Sequence, residues 1–245
     1  MAPPVLVGND VVDLSNPRVR GKAGDERFVS RILDASERPA LSARTDPDLE
    51  LWCLWAAKEA AYKVVAKMRK RPPVFGHAAF RVAWTCRGMA RLGDESTVRR
   101  GVVSCENVET PVEVRHEFGV LHAVAILGGR IDLLYEIVAG RRRLAEIAHY
   151  GQETADRLRD LLSPREAEAA SSSVSVAVRI DARSAMAHAM DVDDARLEIV
   201  RHPGLGERKP PMVLLDGSEA PADVSLSHDG PWIAWAFWAG PAGSG

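Results

Sequence analysis

Three short stretches of this sequence put chemically useful side chains at useful spacing. The first is Gly8-Asn9-Asp10-Val-Val-Asp13. A glycine ahead of an acid at a strand end gives the backbone room and leaves a carboxylate exposed. Two acids three apart, where a strand gives way to a loop, can face one ion; the alternative is a turn with solvated aspartates. The second is Trp55-Ala-Ala-Lys58-Glu59-Ala-Ala-Tyr62-Lys63. Glu59 and Lys63 stand one helical turn apart on a shared face, so both can address one anionic, metal-bound group. The plainer alternative is a surface ion pair. The third is Val224-Ser225-Leu226-Ser227-His228-Asp229-Gly230, which offers hydroxyls, backbone N–H groups and an imidazole to a phosphate, or else forms a hairpin turn with an exposed histidine.

Together these residues suit Mg²⁺, a hard ion that takes oxygen ligands and usually shares substrate phosphates. The sequence contains no Walker A lysine loop, kinase motif or G-x-G-x-x-G, which argues against a nucleoside triphosphate or dinucleotide fold. Nor is there a G-x-S-x-G elbow, and a serine next to a histidine in sequence does not make a triad.

Several elements must position these groups. Val5 to Leu14 reads as a strand ended by Asn16-Pro17, and Glu26 to Leu33 as a helix. The strongest helix runs from about Leu49 to Met68, with Leu51, Leu54, Trp55, Ala61, Tyr62 and Val65 at helical spacing, and is stopped by Pro72-Pro73. Strands follow at Ala79–Thr85, Gly101–Cys105, Val112–Arg115 and Val120–Leu127, with Gly128-Gly129 as a joint. Beyond it the pattern predicts a strand at Ile131–Val138, helices around Glu153–Leu162 and Ala182–Met190, and strands at Leu197–Arg201, Met212–Leu215, Val224–Ser227 and Trp232–Trp238.

That second series repeats the first. Val112-Glu-Val-Arg-His116-Glu resembles Val224-Ser-Leu-Ser-His228-Asp. Ile32-Leu33 with Glu37 resembles Leu161-Leu162 with Glu166, and Ala57-Lys58-Glu59-Ala60 lines up with Ala182-Arg183-Ser184-Ala185. Three matches in one order point to a duplicated unit, with halves at 1–128 and 129–245. Val174, Val176, Val178 and Ile180 alternate as in a strand, but the repeat places them in a helix, and helix is the expectation for most of that stretch.

The 245 residues allow one large domain or two of about 120. A net charge of −2 argues against a nucleic-acid binder. Three scattered cysteines form neither a disulfide framework nor a zinc knuckle, which suits a reducing, cytoplasmic setting. No stretch approaches the roughly 20 apolar residues of a membrane span, and the first residues do not read as a signal peptide.

The quoted motifs, in their order, resemble the 4′-phosphopantetheinyl transferase superfamily, and specifically holo-acyl-carrier-protein synthases. Gly8-Asn-Asp10, Arg27-Phe28 with Arg31-Ile-Leu33 and Glu37, Trp55-Ala-Ala-Lys58-Glu59-Ala-Ala-Tyr-Lys63 and Ser225-Leu-Ser-His228 carry the likeness, over about 5–85 and 205–238. It implies an α+β fold in which one unit is used twice, here as fused halves forming a pseudo-dimer and a monomer. It implies transfer of the phosphopantetheine arm of coenzyme A to a serine of an acyl or peptidyl carrier protein, releasing adenosine 3′,5′-bisphosphate. Asp10 and Glu59, with Asp13 as a third acid, look like the Mg²⁺ ligands. Glu59 is the candidate base, Lys63 meets the diphosphate, and His228, Ser227 and Lys209 contact coenzyme A. Arg18, Arg20, Lys22, Arg27 and Arg31 would face the carrier. Lys67, Arg69, Lys70 and Arg71 would face the carrier or the 3′-phosphate. A non-catalytic relative that binds carrier or coenzyme A without turnover is the alternative.

Overall fold

The computed structural model describes residues 5–69, 76–87, 96–128, 131–144, 157–202 and 210–240, and the chain folds as α+β. Strand β1 (Leu6–Asp13) leads through two 3₁₀ turns to helices α1 (Glu26–Ile32), α2 (Arg38–Ser42) and α3 (Pro47–Met68). Strands β2 (Arg81–Arg87), β3 (Thr97–Cys105), β4 (Val108–Glu117) and β5 (Val120–Leu127) complete an antiparallel sheet in the order β1-β5-β4-β3-β2. The remaining elements are β6 (Val138–Arg143), α4 (Pro164–Ala169), α5 (Ser173–Met190), β7 (Leu197–Arg201), β8 (Pro211–Leu215), β9 (Ser218–Glu219), β10 (Asp223–Asp229) and β11 (Trp232–Trp238). They form two ladders, β10-β11-β6 and β7-β8-β9.

Helix α3 starts where Asp46 caps it, Oδ1 accepting from the Leu49 N–H at 2.9 Å, with Pro47 at the first helical position. Its alanines and valines (Ala56, Ala57, Ala60, Ala61, Val64, Val65) lie flat on β1, β4 and β5. Small residues bring helix and sheet so close that a Cβ on Gly8 would sit 2.0 Å from the Ala60 carbonyl oxygen. Gly8 therefore makes room for the helix above it.

Strand β1 is covered on both faces, as its nearly unbroken burial shows. Gly8, Asp10 and Val12 face α3. Val7, Asn9, Val11 and Asp13 face the second half, where Val7 packs with Ala236 and Val11 with Ala234. Lys67, almost fully buried, ties the faces together: its Nζ donates to the Val7 carbonyl, the Val224 carbonyl and Asp223 Oδ2, each at 2.7 Å. This corrects its expected outward role, because the ammonium is consumed between β1 and β10. Arg69 is paired with Glu106, and Lys70 and Arg71 lie outside the described residues.

Residues paired by the internal repeat hold the same network twice. Lys58 is fully buried and donates to the Ile32 carbonyl at 2.8 Å and to Glu37 Oε2 at 2.6 Å, while Glu37 Oε1 accepts from the Val82 N–H. Arg183 donates to the Leu161 carbonyl at 2.8 Å and to Glu166 Oε2 at 2.5 Å, while Glu166 Oε1 accepts from the Ile199 N–H.

Two expectations can be compared with this description directly. The strand expected at Ile131–Val138 is a 3₁₀ turn at Ile131–Tyr135, and pairing starts at Val138 and runs through Arg141-Arg142-Arg143. Those arginines hid the strand; Arg141 is paired with Glu117 and Arg142 with Asp181. Val174–Ile180 is helical, within a helix capped by Ser172, whose Oγ accepts from the Ser175 N–H at 3.2 Å. Val176 and Val178 alternate in sequence yet are both buried because α5 is covered on several sides, Val178 by Ile233 and Val176 by Leu162 and Ala170. No described helix is long and apolar enough to cross a membrane.

Candidate active site

Asp10 and Lys63 meet directly. Lys63 Nζ lies 3.2 Å from Asp10 Oδ1 and donates to the Asn9 carbonyl at 2.6 Å, so the ammonium is fixed over β1. Glu59, one turn earlier on α3, is close enough for its charge to act on Asp10. Burial pushes the Asp10 carboxyl up to about 7; the Lys63 ammonium opposes this, and the charges of Glu59 and Asp229 add to it. Two carboxylates and a lysine therefore share a small, partly dry space, which is electrostatically short of positive charge.

Strand β10 carries His228 and Asp229 alongside β1, where Asp229 Oδ2 accepts from the Asp13 N–H. His228 is exposed at the end of β10, and its imidazole titrates below the ordinary value through partial desolvation and then the Lys63 ammonium, with Asp229 opposing. Strand β10, which carries His228, runs beside β1, Ser225 Oγ accepting from the Asn9 N–H next to Asp10.

Three residues hold positions that sequence reasoning did not assign to them. His77 Nε2 hydrogen-bonds Glu59 Oε1 at 3.1 Å, and its ring packs on Trp55 with centroids 4.0 Å apart. Trp55 and Glu59 are one turn apart on α3, so a single imidazole holds both. Asn9, fully buried, ties β1 to β10: its N–H donates to Ser225 Oγ at 2.9 Å, and its Nδ2 donates to Ser227 Oγ at 3.0 Å and lies 3.3 Å from His122 Nε2. Asp229 Oδ2 accepts from the Asp13 N–H at 2.9 Å. Only period-two alternation along β10 hinted at any of this.

Two expected site residues are placed elsewhere. Strand β1 does not give way to a loop after Asp10; it stays paired through Asp13 opposite Val120. Asp13 thus projects from the opposite face, where Oδ1 accepts from Ser15 N at 3.0 Å and from Ser15 Oγ at 2.6 Å. The Ser227 hydroxyl is buried and accepts from Asn9 Nδ2, so it anchors β10, the strand that presents His228. Lys209 lies outside the described residues.

The equivalent position in the second half is differently furnished. Asp10 pairs with Ala123, and Gly140 pairs with Trp235 at the matching register. A Cβ on Gly140 would lie 2.5 Å from the Trp235 ring. Ser184 stands where the first half has Glu59.

The oxygen donors of Asp10 and Glu59 fit a hard divalent cation. Among the described residues no group of three or more His, Cys, Asp or Glu forms a protein cage for a metal. Mg²⁺ needs no such cage, since one or two carboxylates plus water and substrate phosphates satisfy it.

Comparison with known proteins gives three findings. Residues 6–106 match the family model described as the 4′-phosphopantetheinyl transferase superfamily. No curated protein matches the chain. Among solved structures, the holo-[acyl-carrier-protein] synthase of Thermotoga maritima aligns at 16% identity over 60% of this chain and 72% of its own, with a TM-score of 0.37, a likeness that adds no functional argument. The matched segment, which holds β1, α3, Asp10, Glu59 and Lys63, is where this chain is similar to the 4′-phosphopantetheinyl transferase superfamily.

Proposed function

We propose that the protein transfers the 4′-phosphopantetheine arm of coenzyme A to a serine of an acyl or peptidyl carrier protein, with Mg²⁺ held by Asp10 and Glu59. What supports this reading is the Asp10–Lys63 contact, with Glu59 one helical turn before Lys63 on α3 and His228 on β10 beside β1. The same reading takes 1–128 and 129–245 as a fused pseudo-dimer, monomeric and cytoplasmic, with one productive site.

The cation, when bound, neutralises charge on the diphosphate. Lys63, clamped by the Asn9 carbonyl, holds a second positive charge beside it and needs no reorganisation during reaction. Glu59 takes the proton of the carrier serine, directly or through a water; the serine oxygen bonds to the β-phosphorus as the bond to the leaving phosphate breaks. Adenosine 3′,5′-bisphosphate departs with the electron pair. His228 contacts the diphosphate from the second half.

Incubation of an apo carrier with the protein, coenzyme A and Mg²⁺ tests the reading by intact mass. The carrier gains one phosphopantetheine, and omitting the metal abolishes the gain. Retained coenzyme A binding without any gain would instead identify a binding relative.

His77 orients Glu59 in this scheme. His77→Ala is expected to weaken Mg²⁺ binding, titrated calorimetrically with coenzyme A present, by about tenfold or more. His77→Asn or His77→Gln, which keep a donor, should recover part of it. Unchanged Mg²⁺ affinity in His77→Ala would remove His77 from the scheme.

A further inference from the structure

The β4–β5 hairpin carries a residue that local physics disfavours. Glu117 pairs with Val120, so the turn is the two residues Phe118-Gly119, at φ 53° and φ 72°. A turn with both central residues at positive φ is type I′, which favours Asn-Gly or Gly-Gly. A bulky aromatic there is strained. The ring gains nothing from the fold in return, being 80% exposed, the most exposed large hydrophobic among the described residues. The counterpart hairpin between β10 and β11 has Gly230 at the matching place, φ 51°.

Both hairpin tips flank the end of β1. Gly119 accepts a hydrogen bond from the Leu14 N–H at 2.9 Å, and a Cβ on Gly230 would lie 3.4 Å from Asp13 Oδ2. Leu14 is four residues past Asp10, or about 13 Å along a strand at about 3.3 Å per residue. Phe118 thus stands at the edge of the cleft, at a distance suited to the body of a protein whose one side chain reaches the site. The chain following Leu14 presents Arg18 and Arg20, both exposed, while Glu117 beside the ring is neutralised by Arg141. An exposed aromatic knob at the turn that holds Leu14, with exposed guanidiniums on the chain that follows, fits an acidic partner with an apolar dimple.

We propose that Phe118 is a docking residue for the carrier protein: it inserts into an apolar depression beside the acceptor serine while Arg18 and Arg20 face acidic residues around it. This rests on the transferase reading above.

Phe118→Asn tests it with opposed readouts. Asn-Gly is the preferred type I′ pair, so the variant's Tm should rise by about 2–4 °C. Its KM for an apo acyl carrier protein should rise about tenfold, while kcat and the KM for coenzyme A stay unchanged. Phe118→Trp should restore the carrier KM. A more stable Phe118→Asn protein with wild-type carrier KM would overturn the proposal. Should that variant fold poorly, Phe118→Gly, which also accepts positive φ, gives the same comparison. If the wild-type protein modifies neither an apo acyl carrier protein nor an apo peptidyl carrier domain, the transferase reading fails and this proposal goes with it. A failure confined to Phe118 leaves wild-type transfer intact.

Discussion

Asp10→Asn will lower transfer by about 10²–10⁴-fold and yet leave the metal-free protein at least as stable as the wild type at pH 8. The activity loss follows from removing one of two carboxylates proposed to hold the cation against the diphosphate, an electrostatic contribution of the size usually lost with a preorganised group. The stability result follows from the sign of the shift. The Asp10 carboxyl rises from 3.8 to about 7 in the folded protein, chiefly through burial, so the fold binds that proton more tightly than the unfolded chain does. Its contribution is therefore most favourable below about pH 4, declines as pH rises through the window up to about 7, and leaves an unfavourably buried charge above it. Asparagine carries no such charge, and Lys63 keeps its bond to the Asn9 carbonyl. Thermal melts of both proteins between pH 4 and pH 8 check this: the wild type should lose ground to the variant as pH rises. Mg²⁺ with coenzyme A should then restore the wild type and leave the variant unmoved. A variant less stable than wild type at pH 8 would show that Asp10 earns its place structurally.

The second large effect is on folding. Lys58→Ala should destabilise the protein by about 3–5 kcal/mol, the range for removing one partner of a buried ion pair, which lowers Tm by roughly 10 °C or more in a chain of this size. Lys58 is fully buried, and its ammonium satisfies Glu37 and the carbonyl that ends α1. Without it, Glu37 keeps its backbone donors, Asp34 N and Val82 N, but loses the ammonium that compensates its charge. Lys58→Arg should lose less than half as much, because Arg183 already performs this role opposite Glu166 in the second half. Differential scanning calorimetry of the two variants decides it; a Lys58→Ala protein that melts with the wild type would mean that Glu37 finds other compensation.

What the sequence discloses about the site depends on how far apart the partners are. Glu59 and Lys63 share a face because both lie on one helix, and spacing alone requires it. The same holds for Gly8 and Asp10 on β1. Asp13 was misplaced because both acids were set where strand gives way to loop, although the strand itself was read to Leu14; three residues along a continuous strand change face. Ser227 shows a signal that was present but unused. Alternation along β10 buries Ser225 and Ser227 on one side and turns His228 to the other, so the serine and the histidine cannot both greet a ligand. His77 reaches Glu59 only through a tertiary turn, and Lys67 meets Asp223 156 positions away; neither contact has any local signature. The arginines of β6 displaced a strand by several residues, since charge at a covered edge looks like loop until its partners are known. The helix at Ser173–Met190 was recoverable despite alternating valines because the repeat supplied a template that periodicity contradicted.

Diffraction from crystals grown with coenzyme A and Mn²⁺ in place of Mg²⁺ bears most directly on the shared cleft. The account predicts an anomalous peak bound by both Asp10 and Glu59, with the diphosphate beside Lys63 and His228. A metal held away from either carboxylate, or coenzyme A seated where His228 cannot touch it, would contradict it.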